Sequence, residues 1–370
     1  MPRQKDLNAE AFSEPFSEKL AWLLLRQYTD IPTRGLEGIP GTAAQKRAAY
    51  QEFRNFARQG VTYWEAANSI KGSAAALPYY YSVLNLAKAE LVRDNPALII
   101  GQKLQHGLSF VPTKSNSIAG DYLKVVPGVF PMLYEKRTGL SLPPQTKLRI
   151  KNLLSLIPEI GLEMQEFGAP RPAAASGYHS VVTDDSRAWV LILMHSDVLA
   201  DSREPHVGIL ARHFEPVLLT ELKEWHRVFG LSNRTRKSDF VIYQSKETFS
   251  RTQDGKPVPD IESASQHLRS IIPQNITECV NRPQDFTLTP SVVKSRNLVI
   301  PLDLVRYAAM YYLSSIVRYK PVALDPISQG VQAWLMDSFT REVPHDLLAN
   351  SIMGIRNSQL TFDAENARTS

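Results

Sequence analysis

The chain of 370 residues has one cysteine, Cys279, which excludes an internal disulfide framework and a multi-cysteine zinc site. No run of eighteen apolar residues occurs, so the sequence offers nothing to span a membrane. Met1 to Glu10 is polar and of mixed charge, without the apolar core of a secretion signal, and the cytoplasm is the expected location. No internal repeat and no low-complexity tract is present. There is no phosphate-binding P-loop, nucleophile elbow, HExxH or dinucleotide fingerprint behind a strand. Four histidines, His179, His195, His206 and His213, lie among Asp184, Asp185, Asp197 and Asp201. Their spacing matches no metal-ligand pattern, so neither a metal nor a cofactor is expected.

What is present is an ordinary globular composition, 43% hydrophobic and 21% charged, long enough for two or three packed domains. The net charge of +5 is mildly basic for this length and permits contact with nucleic acid without requiring it. Twenty-five prolines cut the chain into short elements.

Periodicity sets the expected architecture: mainly α, a helical bundle with a small α+β insert in the middle. Residues 11 to 27 read as a first helix with Trp22, Leu23 and Leu25 inward. Thr29 to Gly41, with three glycines and two prolines, reads as a loop. Ala43 to Ala67 is helix-prone. From Pro78, a helix start, Tyr80, Val83, Leu84, Ala87 and Leu91 form one apolar stripe, while Tyr81, Asn85 and Lys88 share another face. Leu98 to His106 starts a segment that Gly107 ends, residues 111 to 145 read as irregular or short strands, and Leu148 to Gln165 returns to helical spacing. Gly168 to Gly177 resembles a linker. Tyr178–Thr183 and Arg187–Met194 read as a hairpin, Pro216–Phe229 as an amphipathic helix, Phe240–Gln244 as a strand and Asp254-Gly255 as a turn. Pro301 opens a helix that Pro321 ends. Val331, Trp334, Leu335 and Phe339 form a further stripe, and the chain beyond Ile355 is expected to fray. The expected divisions are 1–167, helical; 168–290, α+β; and 291–370, helical and packing back on the first.

Several strings carry a resemblance. Ala57-Arg58-Gln59-Gly60, Tyr63-Trp64-Glu65-Ala66-Ala67 and Tyr79 through Ala89 (YYYSVLNLAKA) are followed by His106-Gly107-Leu108, Leu153 through Glu159 (LLSLIPE) and Tyr312 through Pro321 (YLSSIVRYKP). In this order the chain resembles the bacterial YaaC-like family, which implies a shared fold and names no reaction. More distantly, a Tyr-Tyr helix with Leu-Ala-Lys-Ala ahead of Lys-x-x-His-Gly is similar to HEPN helical domains. Many of those are ribonucleases or partners in toxin–antitoxin and phage-defence systems, with paired copies at a dimer interface. That resemblance implies RNA or DNA, a protein partner from the same operon, or a second copy of this chain as the partner. HEPN nucleases place four to six residues between Arg and His. Here Lys103 and His106 are too close, Arg341 and His345 have three residues between them, and Arg203 and His206 have two.

Two readings of the candidate residues stand side by side. His106 is a general acid or base with Lys103 or Arg93 on a phosphate, or a helix C-cap favoured by the dipole. The tyrosines 79–81 stack bases or pack a core; helical spacing turns only one inward and favours packing. Tyr81, Asn85 and Lys88 are a site rim or a polar interhelical network; in the cluster of Ser314, Ser315, Arg318 and Tyr319, Arg318 anchors a phosphate or carboxylate or simply complements its helix C-terminal end. Arg227, Arg234, Arg236 and Lys237 are a nucleic-acid contact or, as is commoner for so short a cluster, a solvated loop.

Overall fold

The computed structural model of the protein describes residues 8–12, 16–98, 100, 104–168, 174–184, 187–196, 205–218, 225–229, 236, 239–250, 252–253, 256–257, 261–272, 275–279, 282–292 and 298–362. It is mainly α-helical and divides into two compact units. The first comprises Met1–Pro172, Leu302–Thr361 and Glu365–Ser370; the second comprises Ala173–Pro301 and Phe362–Ala364.

The first unit is built on helices. Strand β1 (Asn8–Phe12) is followed by α1 (Glu18–Thr29), α2 (Pro32–Leu36), α3 (Ala43–Asn68) and α4 (Ala76–Asp94). Ser17 caps α1 by accepting from Leu20 N. Thr42 and Gln45 form a reciprocal capping box at the start of α3, satisfying two backbone donors that would otherwise be orphaned. Helix α4 packs on α3, and Ser82 Oγ donates to Gly60 O across that contact at 2.7 Å. The stripe Tyr80, Val83, Leu84, Ala87 and Leu91 is buried, as its spacing requires.

A three-stranded antiparallel sheet follows, β2 (His106–Val111), β3 (Tyr122–Gly128) and β4 (Lys147–Arg149), in the order β2-β3-β4. Helix α5 (Val129–Thr138) leaves β3 and ends on Gly139 in the left-handed conformation. Short helices α6 (Ile150–Leu154) and α7 (Gly161–Glu166) complete this stretch.

The second unit is a seven-stranded antiparallel sheet with helices on it. Its strands are β5 (Ala175–Thr183), β6 (Arg187–His195), β7 (Phe214–Val217), β8 (Phe240–Ser245), β9 (Phe249–Ser250), β12 (Ile276–Cys279) and β13 (Arg282–Leu288). They run β12-β13-β5-β6-β8-β7, with β9 beside β6. The pair β10 (Thr252–Gln253) and β11 (Lys256–Pro257) forms a separate ribbon. The helices are α8 (Pro205–His213), α9 (Trp225–Val228) and α10 (Ile261–Ile271). Val190, Ile192 and Met194 of β6 pack with Leu210, Ala264 and Leu268. Leu191 and Leu193 of the same strand pack with Phe229 and Ile242. Strand β6 is thus apolar on both faces, which explains its unbroken hydrophobic run.

The chain returns to the first unit with α11 (Leu302–Tyr319) and α12 (Gly330–Arg356), both packed on α4. Strand β14 (Ser358–Phe362) pairs with β1.

Several local expectations are corrected. Residues 8–12 are strand, and α1 buries Leu24 and Leu25 but leaves Leu23 54% exposed. The Pro- and Gly-rich stretch after Thr29 contains α2, where Pro32 sits in the first turn, a position that loses no hydrogen bond. Helix α4 starts two residues before Pro78, off a 3₁₀ turn at Gly72–Ala75. The stretch 111–145 holds a full helix, α5. Pro216 lies in β7, so the helix expected over 216–229 shrinks to α9, with 219–224 outside the described residues. Gly177 belongs to β5, where a Cβ would stand 2.7 Å from Phe286 Cζ. Val331 and Trp334 of α12 are 43% and 40% exposed, and only Leu335 and Phe339 of that stripe enter the core. Residues 358–362 form β14. Asp254-Gly255 lies outside the described residues.

Candidate functional site

His106 opens strand β2, so it caps no helix. A glycine-built irregularity aims it. The β2–β3 register shifts between His106 and Leu108, with His106 opposite Gly128, the one-residue surplus of a β-bulge. Gly107 takes φ +84°, and a Cβ there would lie 2.6 Å from Phe130 N. Gly128 takes φ +146°, and a Cβ there would lie 2.5 Å from Gln105 O. Only glycine fits both positions.

The imidazole so placed meets α4 and α11. Tyr80, the fully buried tyrosine of the triplet, holds His106 Nδ1 at 2.7 Å through its hydroxyl. Tyr311 lies 5.7 Å from the His106 ring, and Tyr80 meets Tyr307 and Tyr311 edge-on, with centroids 5.9 and 5.2 Å away. Tyr81 lies 6.5 Å from the His106 ring and stacks with Tyr63 of α3, 5.4 Å between centroids at 29°. Burial raises the Tyr80 phenol well above its ordinary range, with smaller contributions from its tyrosine neighbours, so it stays protonated. His106 is pushed below its ordinary value by burial first, then by the positive charges of Lys88 and Arg318. A half-buried imidazole next to two cations is neutral near pH 7.

Lys88 and Arg318 are the electrostatic feature of this place. Lys88, half-buried, has its own pKa lowered by burial and its ammonium 5.5 Å from the centroid of Phe56. Arg318 donates from Nε to Ser314 O at 3.2 Å and covers Tyr319 at 4.9 Å. Among the described residues neither has a carboxylate within 4 Å. Asn85 is buried, donating to Tyr81 O at 2.7 Å, and Ser315 is buried, donating to Tyr311 O at 2.9 Å. Each of these bonds is to the backbone of its own helix. Tyr319 is 69% exposed.

The other sequence candidates are dispersed. Lys103 lies outside the described residues, as do Arg234 and Lys237. Arg227 and Arg236 are exposed, in the second unit. Arg93 is turned away from His106: it donates to Ile355 O at 2.7 Å and to Glu37 O at 3.0 Å and lies over Tyr28. His179 meets Ser265 Oγ at 2.7 Å, both buried in the second unit. His195 lies at the edge of Phe240, and His206 lies outside the described side chains. Among the described residues no three His, Cys, Asp or Glu side chains converge as a metal site would need, and no helix is long and apolar enough to cross a membrane.

The sequence reading missed three buried polar centres. Glu90 of α4 accepts from Arg137 Nη2 at 2.8 Å and pairs with Lys136 at 3.0 Å, while Arg137 Nε reaches Asp303 at 3.0 Å. Asp121 is fully buried and accepts from Tyr312 Oη at 2.8 Å, Thr113 N at 2.7 Å and Lys320 Nζ at 3.0 Å. Arg306 pairs with Glu159 and, at 2.9 Å, with Asp346. The available signal was a charged residue inside an apolar helical stretch, as at Glu90 and Arg306, since such residues are buried only when paired. Tyr307 and Tyr311 were equally legible as aromatics one helical turn apart.

Neither the curated proteins nor the solved structures contain a match. The family model described as YaaC-like Protein matches residues 12–351. With nearly the whole chain inside that match, the protein belongs to the YaaC-like family.

Proposed function

We propose that the protein associates with nucleic acid, and that the place around His106 is where it holds an anionic, aromatic ligand of the single-stranded RNA type. What supports this reading is that the charges of Lys88 and Arg318 both act on His106, and that neither has a carboxylate within 4 Å among the described residues. Two partly buried cations without an acid partner suit a phosphate. The Tyr63–Tyr81 stack at the same place offers a π-face of the sort on which bases stack. Arg227 and Arg236, exposed in the second unit, are candidates for a further phosphate contact.

The test is binding of a fluorescent single-stranded RNA followed by anisotropy over a salt series. Affinity falls with salt, and Lys88→Ala and Arg318→Ala each lower the slope of log K against log salt by about one. Absence of binding at low salt, or unchanged slopes in both variants, overturns the reading.

A second reading keeps a specific support. His106 has two cations near it, the pairing that a metal-independent ribonuclease of the HEPN type would need, with Arg318 or Lys88 in place of an arginine nearby in sequence. An RNA-cleavage assay of wild type against His106→Ala decides between binding alone and cleavage.

A further inference from the structure

Which nitrogen of His106 carries the proton decides what the site presents, and the buried hydroxyls around it bear on the answer. We propose that Tyr80 is a positioning residue: its O–H donates to Nδ1 of His106, places the imidazole proton on Nε2, and turns that N–H into a third donor, beside Lys88 and Arg318, for a phosphate group. The inference rests on the anion-binding reading for its ligand, but the tautomer stands on geometry alone.

The geometry is a count of protons and acceptors. Tyr80 is fully buried, and its hydroxyl lies 2.7 Å from Nδ1. Tyr307, also buried, sits edge-on to Tyr80, and its hydroxyl has no hydrogen-bond partner among the described residues. If Tyr80 donates to Nδ1, its one proton is used, while the Tyr307 hydroxyl is without a partner in either tautomer and does not enter the count. If Nδ1–H donates to Tyr80 instead, the proton of the fully buried Tyr80 hydroxyl has no acceptor among the described residues and its hydrogen bond stays unmade. Such an orphan costs about 1–3 kcal/mol, enough to set the tautomer.

Burial, and after it the two nearby positive charges, disfavour the third state, the imidazolium. Tyr80 and Tyr81 from α4 and Tyr311 from α11 surround the ring. The charged groups acting on it are Lys88 and Arg318, both positive. A neutral ring with Nδ1 taken leaves Nε2–H, and Nε2 makes no hydrogen bond among the described residues. The set is therefore one ammonium, one guanidinium and one neutral N–H, all donors. That chemistry fits a tetrahedral oxyanion and offers no lone pair to a metal ion.

The experiment is nitrogen-15 NMR of the histidine side chains in the full-length protein, with His106 assigned by loss of its signals in His106→Gln. Wild type shows an unprotonated Nδ1 and a protonated Nε2 at neutral pH. Tyr80→Phe gives a mixture of tautomers and raises the His106 titration midpoint by roughly half to one pH unit, because the lost O–H favoured the neutral ring. Added inorganic phosphate moves the Nε2 signal more than the Nδ1 signal. A proton on Nδ1 in wild type overturns the proposal, as does a lowered midpoint in Tyr80→Phe, the sign expected if Tyr80 were the acceptor. Phosphate binding that leaves Nε2 unmoved overturns the donor role. The expected tautomer with no response to phosphate overturns the anion-binding reading and upholds the role of Tyr80 on the ring. The wild-type measurement needs no variant, so a Tyr80→Phe that folds poorly does not blunt the test.

Discussion

Gly354 and Glu90 share one volume: a Cβ built on Gly354 of α12 would stand 2.5 Å from Glu90 Cδ and 2.7 Å from Arg137 Nη2. The glycine lets the buried carboxylate of α4 and its guanidinium partner lie flat against the helix backbone, and Lys136 Nζ donates to Gly354 O at 3.3 Å in the same place. In an ordinary helix interior Gly→Ala gains about 1 kcal/mol. Here the sign reverses. Gly354→Ala loses about 1–3 kcal/mol, the usual cost of overpacking, measured as a lower urea midpoint with unchanged m-value.

The same ion cluster sets an acid limit. Burial alone would raise Glu90, but Arg137 and Lys136 overcome it and hold the carboxyl down at about 2 against an ordinary 4.5. The folded state thus binds its proton later than the unfolded chain does. The stabilisation is fully present above pH 4.5 and is lost as pH falls toward 2, a contribution of about 3 kcal/mol by linkage. Denaturant titrations at pH 6, 4 and 3 follow this loss. Glu90→Gln, less stable at pH 6, shows a shallower fall.

Asp121 is a second buried anchor, joining the loop before β3 to α11 and to Lys320 just beyond it. Asp121→Ala strands a buried ammonium and costs about 3–5 kcal/mol. Tyr312→Phe removes one donor and leaves the ion pair, costing about 1–2 kcal/mol. Equal losses in the two variants would contradict this division of labour. Thermal melts of the pair are sufficient.

Gly107→Ala must bring a Cβ against the first turn of α5 and take up a backbone that side chains avoid. The expected result is a loss of about 2 kcal/mol or more together with displaced His106 resonances. A stable variant with an unmoved His106 spectrum would mean that the bulge does not aim the ring.

His106 itself ties stability to mild acid. Its folded-state value lies below 6.5, so the neutral ring's contribution is present above pH 6.5 and declines as pH falls through the lower folded value. His106→Gln removes this dependence, visible as a flatter stability profile between pH 7 and 5.

Periodicity alone located α3, α4, α11 and the hairpin of β5 and β6, because each buries a face whose spacing is written in apolar residues. It failed where one residue serves two neighbours. Trp334 and Val331 keep the helical spacing of α12 yet lie on its open side, and a stripe does not say which of its edges is covered. The segment from β2 to α5 was obscured by Gly107, Pro127 and Gly128, which a local reading takes for a break and which here build a bulge. The grouping around His106 could not be read at all. Tyr311 and the charges of Lys88 and Arg318 come from helices far apart in the chain, and only tertiary packing brings them to bear on one imidazole.

The first unit is discontinuous in sequence, and that has a consequence for how it is made. Helix α4 emerges early from the ribosome, yet α11 and α12, which cover it, lie beyond the whole intervening sheet unit. Until they are translated, α4 lacks two of the helices that cover it, and Glu159 and Asp121 lack Arg306 and Lys320. Folding of this unit is therefore a late event governed by long-range closure, slow by comparison with helical proteins of local topology. A nascent chain halted before Leu302 exposes the surfaces that chaperones and proteases recognise.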